Sequence, residues 1–287
     1  TGRPRGVPPA ASDMQASLLP LISLPLAGPL PTSINLKVPV NSTHDTVRFT
    51  PSLLDAAALA AMLPHYEAMP VDPYLQIRTR RFAKYRIDDL RVPELTYVTN
   101  VFMQSAEYND LVKDGKLAVI RRYEPLEESF AALGGFRTIV AQCAADMLAM
   151  GAPEGTPFEF GIHAIRTLAP GMPTPEGVHR DGYAFVMSTV IGREGIQGGH
   201  SRVHTGKYDQ EIVDIPLKPG DALVVNDDAV FHSVSNITVL PGVAQGHRDV
   251  LVIVARPWGH HAAEAAALEL EGSRESPDRA EPADAEA

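Results

Sequence analysis

Three residues in the second half of the chain have the types and spacing of a metal site. His179 and Asp181 lie two positions apart, and His232 follows 53 residues after the first histidine. Along a β-strand, side chains at i and i+2 face the same side, so His179 and Asp181 would offer one nitrogen and one oxygen to one ion. Two imidazoles and one carboxylate leave the opposite face of an iron(II) ion open for a chelating cosubstrate and O2. The three residues therefore predict a non-haem iron site.

The context of His232 strengthens this interpretation, because a His-X-Asp pair alone often arises by chance. His232 lies in the predicted strand 230–237, after a turn-then-strand unit at 217–226 that contains Pro219, Gly220 and Asp221. The last ligand would thus arrive on a late strand that can pair near the first two.

Arg248 is a candidate anion-binding residue at the start of the apolar segment 249–255. A buried guanidinium is costly unless a carboxylate meets it, and an arginine can bind a carboxylate through two parallel hydrogen bonds. The carboxylate could belong to a ligand or to a protein acid such as Asp249 or Asp221. The residues alone leave both interpretations open.

Short strands separated by turn residues dominate from residue 94 onward. The predicted strands cover 94–102, 158–168, 177–181, 184–191, 200–205, 211–216, 222–225, 230–237 and 249–255. Because no helices lie between most of them, an antiparallel sandwich or barrel is favoured over a parallel sheet. Helices predicted at 53–62, closed by Pro64, and at 129–150 would form a covering layer. The predicted fold is mainly β (α+β), a double-stranded β-helix or jelly roll with covering N-terminal helices.

Composition predicts one domain with irregular ends. The chain has 287 residues and 45% hydrophobic residues, enough for a large core. Residues 1–17 are rich in Pro, Gly, Arg and Ser and are predicted to be disordered, as is the acidic, alanine-rich tail 262–287. The domain itself is predicted to span 18–261.

Charge and cysteine content exclude several classes of partner. The net charge is −10, and the tail contributes eight acidic and two basic residues to it. No basic stripe can follow a phosphate backbone, so nucleic acid is not expected as the partner. Prolines interrupt the apolar stretch 18–30, so no membrane anchor is expected. Cys143 is the only cysteine, which excludes an intramolecular disulfide and fits a cytoplasmic location.

Several motifs together resemble a known family. They are Pro175-Glu-Gly-Val-His-Arg-Asp-Gly182, Gly198-Gly199, 217–226, Phe231-His-Ser-Val234 and His247-Arg-Asp-Val-Leu-Val252. In order and spacing, over roughly residues 74 to 257, they resemble the bacterial Fe(II)/2-oxoglutarate dioxygenases that include free L-amino-acid hydroxylases such as isoleucine 4-hydroxylase. The resemblance implies that His179, Asp181 and His232 bind iron and that Arg248 binds the distal carboxylate of 2-oxoglutarate.

The resemblance also implies a reaction. The expected function is hydroxylation of an aliphatic carbon of a free L-amino acid or a small derivative, with Fe(II), 2-oxoglutarate and O2, yielding succinate and CO2. Related halogenases have a small residue in place of Asp181, so this carboxylate favours hydroxylation over chlorination. Two alternatives stay open: a cupin-type isomerase or decarboxylase, and a non-catalytic jelly-roll protein that binds a metal or a small acid. A homodimer formed through the N-terminal helices is also left open.

Substrate contacts are expected from residues near the predicted mouth of the barrel. Arg81 belongs to the basic and aromatic segment 74–86, which could offer a guanidinium to a carboxylate of the substrate. The alternative is that this segment forms a solvated face or a salt-bridge network. His163 and Arg166 lie three apart on the strand before the metal motif, so only one of them would point inward.

Two further candidates flank the metal motif. Tyr183 and Phe185 continue the alternation of His179 and Asp181 and are expected to face the interior, with Phe185 packing in the core and Tyr183 covering the substrate. His200 follows the paired glycines at a position where relatives often have an acidic residue. It is therefore either a substrate contact or a solvated loop histidine.

Overall fold

The computed structural model describes residues 46–105 and 118–259. The predictions for 1–17, for the apolar stretch 18–30 and for the tail 262–287 lie outside these residues. The described strands are β1 Val47–Thr50, β2 Arg78–Ile87, β3 Thr96–Thr99, β4 Val101–Ser105, β5 Ala118–Arg122, β6 Phe158–Ala169, β7 Phe185–Glu194, β8 Ile196–Gly198, β9 Ser201–His204, β10 Glu211–Ile215, β11 Ala222–Asn226, β12 Phe231–Val234, β13 Ile237–Val239 and β14 Gly246–Pro257.

The strands form two main antiparallel sheets. The larger sheet has seven strands in the order β1-β11-β7-β14-β6-β2-β3, and the smaller has the order β10-β9-β12. β13 pairs with β8, and β4 pairs with β5. Strands that neighbour each other in the large sheet are far apart in sequence, as when β14 pairs with both β6 and β7. This arrangement confirms the predicted jelly-roll fold.

The alternation of side chains gives the large sheet two different faces. On β14, Val250 and Val254 point to one face, into an apolar cluster that includes Val203 of the small sheet. Leu251 and Ile253 point to the other face, into a core shared with the helices. The first face lines the interior of the barrel, and the second is covered by helices.

Three helices form the covering layer: α1 Ala56–Glu67, α2 Glu128–Ala131 and α3 Gly134–Ala149. Asp55 caps α1 by accepting a hydrogen bond from the backbone N–H of Ala58. α1 and α3 approach closely at Gly135, where a Cβ atom would lie 3.2 Å from the side chains of Ala58 and Met62. Within the described residues, no helix is both long and apolar enough to cross a membrane.

Both predicted helices differ in their bounds from the observed ones. Pro64 lies inside α1 instead of closing it, and the helix continues to Glu67. The predicted helix 129–150 is two helices, because Leu133 has an extended backbone conformation with ψ of 139° that separates α2 from α3.

Two predicted strands also differ. The predicted strand 94–102 is divided between β3 and β4, which belong to different sheets, with Asn100 at the corner. The side-chain amide of Asn100 donates to the backbone carbonyl of Tyr123 at this corner. The predicted strand 177–181 is an irregular segment with a single bridge, between His179 and His232.

Candidate active site

His179, Asp181 and His232 meet on the inner side of the barrel. One ligand atom from each residue lies within 4.8 Å of the other two. Oδ1 of Asp181 is 3.5 Å from Nε2 of His179, and Oδ2 of Asp181 is 3.4 Å from Nε2 of His232. Two imidazole nitrogens and one carboxylate thus converge on one point, which is the donor set that non-haem iron(II) oxygenases use.

The backbone brings the two histidines together without a regular strand. The N–H of His179 donates to the carbonyl of His232, and the N–H of His232 donates back, at 3.0 and 2.9 Å. Gly177 and Gly182, with φ of 74° and 77°, bracket the segment in the left-handed region that favours glycine. His179 and Asp181 therefore converge because an isolated β-bridge lies between two glycine turns. The sequence analysis had predicted the same convergence from the two-residue repeat of a regular strand.

The second nitrogen of each histidine ring faces an oxygen of the protein, which leaves both Nε2 atoms for a metal. Nδ1 of His179 donates to the carbonyl of Gly177 at 2.9 Å. Nδ1 of His232 lies 3.1 Å from Oδ1 of Asp227, which is fully buried. A contact of this kind orients the ring and raises the basicity of the ligand nitrogen.

Electrostatics in the metal-free site favour protonated histidines around a charged carboxylate. Burial lowers the pKa of His232, but the contacts with Asp181 and Asp227 outweigh it and raise the pKa to about 10. The pKa of His179 is also raised: burial opposes the shift, and Asp181 outweighs it. Burial likewise opposes ionisation of Asp181, and the two histidines outweigh it and lower its pKa well below the usual value. A metal cation would replace these protons, so the residues present fit a divalent ion.

Arg248 lies in the same cavity as the three residues and is 2% exposed. Among the described residues, its Nε and Nη2 atoms have no hydrogen-bond partner. Burial, and then the nearby Arg193, lower the pKa of Arg248 to about 9. An unneutralised buried guanidinium of this kind calls for an anion. Asp249 is not that anion, because its carboxylate binds Arg166, whereas Asp221 binds the backbone N–H groups of Ser52 and Lys218.

The paired glycines pack directly against Arg248. A Cβ atom on Gly199 would lie 3.2 Å from Cδ of Arg248 and 3.0 Å from Nη1 of Arg193. Arg193 donates to the carbonyls of Gly198 and Gly199, so its charge is directed away from the cavity. The glycines therefore allow the backbone to support the guanidinium of Arg248 at close range.

A match to a protein-family model decides which family the chain belongs to. The model of the 2OG-Fe dioxygenase family matches residues 63–254, well over half of the chain. The chain belongs to the 2OG-Fe dioxygenase family. It is therefore a non-haem iron, 2-oxoglutarate-dependent dioxygenase, whose family uses Fe(II), 2-oxoglutarate and O2, and this decides against the cupin-type and the non-catalytic alternatives.

Solved structures show the same fold. A bsmA homologue from Methylobium petroleophilum PM1 is 25% identical, with a TM-score of 0.65 over 79% of this chain and 97% of that chain. IDO from Bacillus thuringiensis is 16% identical, with a TM-score of 0.62 over 76% and 94%. The Fe(II)/α-ketoglutarate-dependent dioxygenase TqaL is 16% identical, with a TM-score of 0.54 over 76% and 85%. No similar sequence was found among curated proteins.

None of the four predicted substrate residues of this dioxygenase lines the cavity. Arg81 faces the helices and pairs with Glu127 at 3.0 Å. Arg166 makes two hydrogen bonds to the buried Asp249 on the same covered face. Alternation along β2 and β6 turns both side chains away from the interior, so the structure does not bring these two residues to the cavity.

Tyr183 and His200 also lie outside the cavity lining, although Tyr183 packs on the interior side, as expected. Tyr183 is buried, and the guanidinium of Arg256 lies 4.6 Å from its ring centre. Nδ1 of His200 is 2.7 Å from Asp214, at the rim of the small sheet. The alternation breaks between Tyr183 and Phe185, so Val186 lines the cavity of the dioxygenase and Phe185 packs in the helix-side core.

The cavity instead exposes several arginines that the sequence interpretation missed. Besides Arg248, the lining contains Arg78, Arg80, Arg121 and Arg202. The sequence pattern that could have located these arginines lies in β2, where every second residue, Ala83, Tyr85 and Ile87, packs on the helix side. That alternation places Arg81 on the helix side and Arg78 and Arg80 on the interior side of the dioxygenase.

Nδ1 of His163 accepts a hydrogen bond from Nη2 of Arg80 at 2.6 Å. Burial, and then Arg80, lower the pKa of His163 well below its usual value, so the ring is neutral. His163 is stacked on Phe82 with 4.4 Å between ring centres, and Phe102 meets it edge-on. Of the pair His163 and Arg166, the histidine is the one that points inward, which fits the expectation that only one of them would.

Proposed function

We propose that this dioxygenase hydroxylates an aliphatic carbon of a free L-amino acid or a small amino-acid derivative, coupled to decarboxylation of 2-oxoglutarate to succinate and CO2. In this proposal His179, Asp181 and His232 bind the iron, and Arg248 binds the distal carboxylate of 2-oxoglutarate. The observation that carries it is the presence of the His-Asp-His group and the unpartnered guanidinium of Arg248 in one cavity.

Each protein group has a distinct role in this proposal. Asp181 supplies the anionic ligand, and the Nε2 atoms of His179 and His232 supply the neutral ones. Arg248 neutralises and orients the cosubstrate, because its planar fork matches a carboxylate. The bound iron supplies activation of O2 and oxidation of the substrate carbon. Asp181 occupies the ligand position that chloride would need in a halogenase, and this supports hydroxylation over chlorination.

The apolar part of the cavity wall fits an aliphatic substrate. Val186, Val252 and Val254 face the cavity from β7 and β14, and Phe102 and Ile165 are among the other apolar residues that line it. Such a wall excludes water from the reacting carbon and contributes binding free energy through burial of apolar area. The arginines of β2 line the same cavity and give it an affinity for anions.

The deciding experiment measures succinate. The protein is reconstituted with Fe(II) without oxygen, then mixed with O2 and 2-oxoglutarate and each of the free L-amino acids, and the products are followed by mass spectrometry. Substrate-dependent succinate with a product heavier by one oxygen atom is the expected result. Absence of succinate with every amino acid, at confirmed iron occupancy, would contradict the amino-acid assignment.

Three further expectations accompany this proposal: one domain over residues 18–261, a cytoplasmic location and a possible homodimer. The lone Cys143, which is buried against Met147, suits a reducing compartment and has no proposed role in catalysis. Cell fractionation tests the location, and sedimentation of the purified protein tests the dimer.

A further inference from the structure

The inner face of β2 carries two arginines with little neutralisation. Arg78 and Arg80 are each 8% exposed and line the cavity, and their Nε atoms have no hydrogen-bond partner among the described residues. Arg121 of β5 lines the same wall, and its Nε is likewise unpartnered there. Buried guanidinium groups are stabilised only when anions or hydrogen-bond acceptors meet them.

Within the part of the chain that the structure describes, too few acids face these three cations. Oδ2 of Asp72 lies 3.9 Å from Nε of Arg78 and 4.0 Å from Nη1 of Arg80, beyond hydrogen-bond distance for both. The other carboxylate oxygen of Asp72 is used by the backbone N–H groups of Tyr74 and Leu75. Glu176 adds a second negative charge to the cavity wall. Among these described residues, three guanidinium groups face two carboxylates, which leaves an excess of one positive charge.

Arg80 is held rigidly, and Arg78 is less constrained. Besides its bond to His163, the guanidinium of Arg80 lies over the ring of Tyr123 at 4.5 Å from the centre. Burial, and then the like charge of Arg80, lower the pKa of Arg78 to about 10. An anion placed between the two arginines would relieve this repulsion. The wall is thus organised before a ligand arrives, which reduces the entropy lost on binding.

We propose that Arg78 and Arg80, with Arg121 beside them, form an anion subsite that binds the carboxylate of the amino-acid substrate. This places a free carboxylate at that end of the substrate and excludes a carboxamide or a peptide bond there. The assignment rests on the proposed function in taking this cavity as the substrate site. Arg248, which serves the cosubstrate in the proposed function, lies two strands from Arg78, with Thr167 of β6 between them.

The test is a binding measurement on the holoenzyme. The protein, loaded with Fe(II) and 2-oxoglutarate without oxygen, is titrated calorimetrically with each L-amino acid and with the matching carboxamide. We expect at least one acid to bind about tenfold or more tightly than its amide, since a charge-assisted hydrogen bond contributes about 1.5–3 kcal/mol. Arg78→Gln should remove this preference, and Arg78→Lys should keep part of it.

Arg81→Gln is the matched control, because it removes the same charge three residues along the same strand but on the helix face. It should keep the preference for the acid. Any of three results would overturn the subsite. They are equal affinity for acid and amide, an unchanged preference for the acid in Arg78→Gln, and no binding by any acid. Acid binding without succinate would contradict the proposed function and leave the subsite standing. Succinate formation with acid and amide alike would contradict the subsite alone.

Discussion

Asp227 connects His232 to the backbone of the metal motif. Oδ1 of Asp227 lies 3.1 Å from Nδ1 of His232, while its Oδ2 accepts hydrogen bonds from the backbone N–H groups of Asp181 and Gly182 at 2.8 and 3.1 Å. One fully buried carboxylate thus orients one proposed ligand and holds the segment that carries another. The sequence analysis did not identify this contact.

Asp227→Asn should weaken metal binding. An asparagine has one acceptor oxygen, so it can serve either the histidine ring or the two backbone N–H groups, and its NH2 group would face a donor on the other side. Loss of such an outer contact costs roughly 10–100-fold in metal affinity. Anaerobic titration with Fe(II) or Co(II) measures this loss. Asp228→Asn, at the exposed neighbouring position, should bind metal like the wild type, and equal affinities in the two variants would refute the role of Asp227.

Asp181→Ala should abolish succinate formation while the protein stays folded. The side chain faces the cavity, so its carboxylate contributes more to metal binding than to the core. Succinate assays on the variant, with circular dichroism to check the fold, test this expectation. Persistent turnover by a folded variant would rule out Asp181 as an iron ligand.

Arg248→Gln should impair use of 2-oxoglutarate specifically. Loss of a charge-assisted contact to a carboxylate costs roughly 1.5–3 kcal/mol, so KM for 2-oxoglutarate should rise by about tenfold or more. Arg248→Lys keeps the charge but loses the planar fork, so its KM for 2-oxoglutarate should lie between those of the wild type and Arg248→Gln. Steady-state kinetics over a range of 2-oxoglutarate concentrations measure these values. An unchanged KM in the glutamine variant would show that another group binds the cosubstrate.

Metal binding should release protons and strengthen as the pH rises. The pKa of His232 is about 10 in the metal-free protein, so the ring is protonated at neutral pH. A metal binds only the neutral imidazole, and the proton must therefore leave. Affinity for Co(II) should increase by up to about tenfold per pH unit for each released proton between pH 6.5 and 8.5. Calorimetry in buffers of different ionisation enthalpy counts the protons, and a count of zero would contradict the charged state described for this site.

Arg166→Gln should destabilise the protein without affecting substrate or cosubstrate binding. The variant leaves the fully buried carboxylate of Asp249 without its two hydrogen bonds from arginine. Breaking one side of a buried ion pair costs about 3 kcal/mol. Urea denaturation should show this loss in the free energy of unfolding, while KM for the amino acid and for 2-oxoglutarate stays as in the wild type. A stable variant with a raised KM for the amino acid would restore the substrate role first expected for Arg166.

The sequence by itself determined the chemistry of the centre and the class of fold. His179, Asp181 and His232 were identifiable as a candidate metal site because such a site requires particular residue types, whereas the role expected for Arg248 came from the resemblance to the family. The jelly roll was predictable because short strands separated by turn residues have few other stable arrangements.

Only the tertiary structure decided which side chains share the cavity. A shift of one residue in a strand moves a side chain to the opposite face, so Arg81 and Arg80 differ completely in environment. The alternation breaks between Tyr183 and Phe185, just before β7, and no local pattern located that break. The contacts between Arg80 and His163 and between Asp227 and Asp181 join residues 83 and 46 positions apart, and only the folded chain brings them together.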